Sequence, residues 1–182
     1  MKLNLEHTFL NELPADGILE NTRRQVSEAV YSFVTPKKTK QPEMIHVSQN
    51  MADELGVTEE DTKTTLFKNV FTGNDVYPNT KPYAMCYGGH QFGNWAGQLG
   101  DGRAINLFEV AHQNKNWKVQ LKGAGETPYS RTADGLAVLR SSIREYLCAE
   151  AMYHLGVPTT RSLSLALSGD DVLRDVMYDG NP

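Results

Sequence analysis

The segment RAINLFEVAHQNKNWKVQLKG, residues 103–123, constrains the fold more tightly than any other part of the chain. RAINLFEVA and NWKVQLKG both read as strands, and the polar turn HQNKN joins them. A parallel pair needs a crossover of about a dozen residues or more, which this turn does not supply, so the strands are expected to run antiparallel. In the second strand Trp117, Val119 and Leu121 alternate with Lys118, Gln120 and Lys122, which predicts one buried and one polar face.

The flanking segments extend this pattern. A helix is expected over about 137–155, closed by Gly156 and Pro158, with Leu139, Ile143, Tyr146, Leu147 and Tyr153 on one stripe. SLSLAL alternates as a strand does, with DVLRDVMY as its expected partner. Upstream, TRRQVSEAVYSFV places Val26, Ala29, Val30 and Phe33 at helical spacing, and EMIHV reads as a short strand. SQNMADELGV reads as a helix with Ser48 or Asn50 as its N-cap and Gly56 as its stop. TEEDTKTTLFKNVF reads as the next helix, with Thr58 and Asp61 at capping-box spacing. The fold class expected is α+β: an antiparallel sheet with a packed long helix in residues 76–182, preceded by a mostly helical extension in residues 1–75.

Composition bounds the function. Hydrophobic residues make up 40% and charged residues 22% of 182, as in water-soluble globular proteins, and the formal net charge is −4. That charge offers no global attraction to nucleic acid or to anionic lipid, so neither is expected as a partner. No apolar run approaches the roughly 18 residues of a membrane-spanning helix, and the N-terminus does not read as a secretory signal. Cys86 and Cys148 lie far apart and suggest packing residues in a reducing cytoplasm. The turn-like Asp179-Gly180-Asn181-Pro182 follows an apolar stretch, so further chain is expected beyond it.

GGHQFGNWAGQLGDGRA, residues 88–104, concentrates six glycines in seventeen positions. Glycine is entropically unfavourable to order, so the backbone there must turn tightly or approach another object closely. A phosphate-binding P-loop is excluded, because Gly102 is followed by Arg103 and Ala104 rather than Lys and Ser or Thr. A dinucleotide fingerprint is excluded as well, because a strand and not a helix follows. A glycine loop leading into a strand is how protein kinases cover nucleotide phosphates. That arrangement needs a lysine on a later strand and a glutamate on the next helix, and Lys122 and Glu145 stand there. The small residues Ser141, Ser142, Cys148 and Ala149 around Glu145 leave room for a strand to approach, and Arg103 is a second phosphate-clamp candidate.

Other chemistry-bearing residues read more plainly. His90 is expected to be structural, and His7, His46, His112 and His154 share no ligand spacing, so no metal site is expected. The hydroxyls of TPYSR suit turn chemistry and solvent contact, Arg131 is a candidate for meeting phosphate, and Arg140 with Arg144 suits a solvated face. Phe92 and Trp95 are expected to plug a core.

YGGHQFGNWAGQLGDGRA, QLKGAGETPYSRTADG and AVLRSSIREYLCAEAMYHLGVPTTR, in this order, closely resemble the selenoprotein O family. FLNELPAD and VSEAVYSFVTP extend the resemblance towards the N-terminus. It implies a protein-kinase-like fold, of which residues 76–182 would be the N-lobe, truncated before the C-lobe. It also implies transfer of AMP from ATP, with Mg2+, to Ser, Thr or Tyr hydroxyls of protein substrates. Carried onto this sequence, Gly100, Gly102 and Arg103 would contact the nucleotide, Lys122 would bind phosphate with Glu145 as its partner, and Asp134 and Gly135 would join the same site. The catalytic base, the magnesium ligands and further arginines would lie outside this chain. Leu136 departs from the family's usual arginine in A-D-G-R-A-V-L and removes a positive charge beside the expected pocket. Without the resemblance, the residues leave open an ordinary kinase or a non-catalytic nucleotide-binding module.

Overall fold

A computed structural model describes residues 1–174. In chain order the elements are β1 (Leu5–Glu6), α1 (Thr8–Glu12), β2 (Tyr31–Phe33), β3 (Glu43–Val47), α2 (Gln49–Glu54), α3 (Glu59–Thr62) and α4 (Thr65–Phe71). β4 (Tyr83–Met85), β5 (Gly88–Gln91), β6 (Asn94–Gln98), β7 (Ala104–His112), β8 (Lys115–Lys122), α5 (Leu139–His154) and β9 (Ser164–Leu167) follow. The strands pair antiparallel throughout, giving the mixed α and β architecture expected.

β7 organises the main sheet. β8 lies along one edge, in a register running from Ala104↔Lys122 to His112↔Lys115. β4 and β1 share its other edge, pairing at Tyr83↔Asn106 and at Leu5↔Val110, and β2 continues the sheet beyond β4. The turn between β7 and β8 closes because Gln113 and Asn114 both take left-handed backbone angles, matching the twist of the strands. The expected alternation along β8 holds, with Val119 buried and Trp117 and Leu121 half-buried.

One core joins the first 75 residues to this sheet. Phe67, Val70 and Phe71 of α4, Ala52 of α2 and Leu55 at its end pack against Leu107, Phe108, Val110 and Val119. Each large side chain so buried stabilises the fold by about 1.5–3 kcal/mol. Local signals set the helix ends as expected. The Ser48 hydroxyl accepts from the Met51 amide, and Thr58 and Asp61 form a reciprocal capping box. The segment read as one helix divides in two, because Thr64 caps a fresh turn by accepting from Phe67 N–H at 3.2 Å.

Residues 22–34 differ from the sequence expectation. Tyr31–Phe33 form β2, and Glu28 takes a left-handed φ of 59°, which no helix accommodates. Pairing with β4 and burial of Tyr31 among Phe9, Phe33 and Tyr83 outweigh a weak helical periodicity. β9 pairs with β3 rather than with DVLRDVMY, whose first four residues carry no strand and whose remainder lies outside the described residues. The α5 stripe is also rotated. Leu139, Tyr146 and Ala149 face the sheet side, whereas Ile143, Leu147 and Tyr153 are exposed. Polar anchors explain the rotation: Arg161 clamps Glu150 through two bonds of 3.0 and 2.8 Å, and Ser162 N–H donates to the same carboxylate.

Candidate functional site

Lys122 is the last residue of β8, and Glu145 lies in the second turn of α5. Their side chains meet, with Lys122 Nζ 3.1 Å from Glu145 Oε1. Both are close to half exposed, at 42% and 49%, so solvent screening holds the pair's contribution to stability below about 1 kcal/mol. It orients two charges more than it holds the fold together. Small neighbours on α5 make the approach possible, since Ser142 and Ala149 line the same space as Glu145. That space is a cavity of about 520 Å³ between the end of β8, α5 and β9, with Leu136 in its wall.

Three more nucleotide candidates, Gly100, Gly102 and Arg103, line a second, smaller cavity of about 230 Å³ together with Gln91, Ser130 and Arg131. Arg103 is exposed there. Its carbonyl accepts from Gly123 N–H at 2.7 Å, one step beyond the Ala104↔Lys122 pair. Arg103 and Lys122 thus stand at the same end of the β7–β8 hairpin while lining different cavities. Gly100 and Gly102 have a packing role inside the chain. A Cβ on Gly100 would lie 2.5 Å from Tyr129 Cγ, and one on Gly102 would lie 2.8 Å from the Tyr129 carbonyl oxygen.

The TPYSR turn against which they pack is densely bonded. Thr127 Oγ1 donates to the Asp101 carbonyl, Ser130 Oγ donates to the Gly102 carbonyl, and Tyr129 OH meets Ser32 Oγ at 2.8 Å. Thr127, Tyr129 and Ser130 are buried, so their hydroxyls serve turn chemistry as expected but not solvent contact. Burial pushes the Tyr129 hydroxyl up to about 12, which keeps it protonated. Ser32 also donates to Asp16, which binds Arg24 through two contacts. Burial opposes ionisation of Asp16, but the Ile18 amide, Ser32 and Arg24 outweigh it and hold the carboxyl below its usual range.

Asp134 and Gly135 form a turn beside the loop that follows β8. Gly135 has a φ of 71°, and the Gly125 backbone fills the space a Cβ would need. Leu136 N–H donates to Asp134 Oδ1 at 2.9 Å, while Arg174 reaches Asp134 Oδ2 at 2.7 Å and the Leu136 carbonyl at 3.1 Å. The Arg174 hydrogen bond holds the Asp134 carboxyl below its usual range despite burial. Sequence reading missed Arg174, because a contact across 40 residues leaves no local signature.

Two further expectations are corrected. Phe92 is fully exposed and Trp95 is 64% exposed, because β5 and β6 form a hairpin that projects them outwards instead of into a core. Cys148 is exposed on α5, whereas Cys86 is partly buried, and burial pushes its thiol up. Among the described residues, no group of three or more His, Cys, Asp or Glu side chains gathers to hold a metal ion. Nor is any described helix long and apolar enough to cross a membrane.

The family model for protein adenylyltransferase SelO matches residues 18–178. The chain belongs to the SelO family. Its relatives include proteins named protein nucleotidyltransferase YdiU. That from Flavobacterium johnsoniae is 64% identical over 180 residues, covering 99% of this chain and 34% of the relative. The relatives from Tolumonas auensis and Rhodopirellula baltica are 54% and 55% identical, again over 99% of this chain and about a third of their own length. The SelO-family chain described here therefore spans about a third of the curated relatives it matches.

Proposed function

We propose that the full-length protein transfers AMP from ATP to hydroxyl side chains of proteins, and that residues 76–182 form a kinase-like N-lobe supplying one wall of the nucleotide site. The observation that carries this reading is the Lys122–Glu145 pair at 3.1 Å, set beside a cavity at the end of the strand pair that follows the glycine-rich segment. SelO-family membership supports AMP transfer over other uses of such a pair.

In this reading Glu145 aims the Lys122 ammonium at phosphate oxygens, where it offsets charge that develops as the bond breaks. Arg103 neutralises a neighbouring part of the polyphosphate, and the backbone around Gly100 and Gly102 keeps Arg103 in place by packing on Tyr129. Asp134 and Gly135 fix the turn next to Lys122 and contact the nucleotide from that side. A protein hydroxyl oxygen attacks the α-phosphorus, the bond to the β-phosphate oxygen breaks, and pyrophosphate leaves. Magnesium, when bound with ATP, would neutralise the phosphates further; its ligands and the catalytic base are assigned to the part of the relatives that this chain does not match. Protein Ser, Thr or Tyr hydroxyls are the acceptors, and the cytoplasm is the proposed setting.

ATP labelled on either the α- or the γ-phosphate, incubated with the full-length protein, magnesium and protein acceptors, tests the reading. Protein-bound α-label without γ-label is expected. γ-Label in protein would instead make the enzyme a phosphotransferase, and ATP binding with neither label transferred would make the site non-catalytic.

A further inference from the structure

The hairpin of β5 and β6 stands apart from the main sheet. Among the described residues, β5 and β6 pair only with each other, and an isolated two-stranded hairpin is marginal in water. Its base is tied: Gln98 accepts from Val26 N–H at 2.7 Å and donates to the Arg24 carbonyl, and Leu99 N–H donates to the Tyr87 carbonyl. Its tip, Phe92-Gly93, is a left-handed turn with Phe92 wholly exposed and open space around Gly93. Between base and tip, the side-chain hydrogen bond from outside the hairpin, among the described residues, is Arg131 Nη1 donating to Gln91 Oε1 at 2.9 Å. Arg131 takes a left-handed φ of 55°, rare for a non-glycine residue and sustained here by the bonded TPYSR turn behind it.

We infer that Arg131 is a positioning residue: it latches the glycine hairpin over the Arg103 cavity, so that nucleotide enters and leaves as the latch opens. Gln91 and Arg131 line that cavity together with Gly100, Gly102 and Arg103, so breaking the bond frees one wall while the rest stays fixed. The purpose of the latch rests on the nucleotide reading above; its existence does not.

Hydrogen exchange on the nucleotide-free full-length protein tests it. Gln91→Ala and Arg131→Gln are each expected to speed exchange of the amides in residues 88–98 by about fivefold, as loss of one exposed charge-assisted bond allows, with β7 and β8 unchanged. The double variant should exchange no faster than either single one. In kinetics, Gln91→Ala should raise the KM for ATP about fivefold and leave kcat within about twofold. Parental exchange in either single variant, or effects that simply add, would overturn the latch. A fall in kcat matching the fall in kcat/KM, with exchange unaltered, would make Arg131 a direct ligand and overturn it too. If no nucleotide transfer is detected at all, exchange still decides whether the latch exists.

Discussion

Two hairpins of this molecule solve their turns in the same way and meet opposite fates. The β7–β8 hairpin turns at Gln113-Asn114 and the β5–β6 hairpin at Phe92-Gly93, each with two successive left-handed residues. The first buries Ile105, Leu107, Phe108 and Val110 and carries the sheet. The second buries no large side chain and leaves Phe92 and Trp95 in solvent. Turn chemistry closes a hairpin, but only a strand with a face to bury becomes a scaffold. In the proposed nucleotide site the division is useful. Lys122 sits at the end of the hairpin packed into the core, while the glycine-rich hairpin is held at its base by Gln98 and along its length by the Arg131 latch.

Matched substitutions in the full-length protein separate the two hairpins. Phe108→Ala should destabilise by about 3–5 kcal/mol in urea unfolding, as a buried aromatic removed from a close-packed core does; a loss under about 1 kcal/mol would mean β7 is no scaffold. Gly100→Ala should cost about 2–3 kcal/mol, because φ is 142° and the new methyl meets Tyr129. Gly93→Ala, equally left-handed but with open space around it, should cost only about 1 kcal/mol. Equal losses at the two glycines would remove the packing role assigned to the 99–103 loop.

The base beneath that loop should show a smaller, acid-dependent effect. Asp16 has its folded pKa below its ordinary value, so its contribution is present above the usual carboxylate range and lost as pH falls through the folded value. Stability of the parent should thus fall more between about pH 5 and pH 2 than that of Asp16→Asn; parallel curves would show that Asp16 is not braced as described. The smallest effect belongs to Phe92→Ala, expected within about 0.5 kcal/mol of the parent because nothing packs on that ring.

The same contrast explains what was legible in the sequence. Alternation along Trp117–Lys122, the caps at Ser48 and Thr58 and the stop at Gly56 are local patterns, and each forms as read. The Lys122 and Glu145 side chains also meet as their order along the chain suggested. β2 was hidden because its helical spacing is overridden by pairing with β4, some 50 residues away. The glycine stretch was legible as unusual but not as a hairpin, since glycines placed for close approach to Tyr129 and glycines placed for turning look alike in sequence. Arg174 on Asp134 and Arg131 on Gln91 are contacts between segments distant in sequence, with no periodicity to betray them.

Lys122, oriented by Glu145, is proposed to bind the phosphates of the transferred nucleotide. AMP transfer by Lys122→Met and Glu145→Gln forms of the full-length protein, with unfolding monitored in parallel, tests it most directly. Lys122→Met is expected to lose about 100-fold or more in kcat/KM and Glu145→Gln to lose less, while both unfold as the parent does, since a half-exposed pair adds little stability. Parental transfer by Lys122→Met with an intact fold would contradict it.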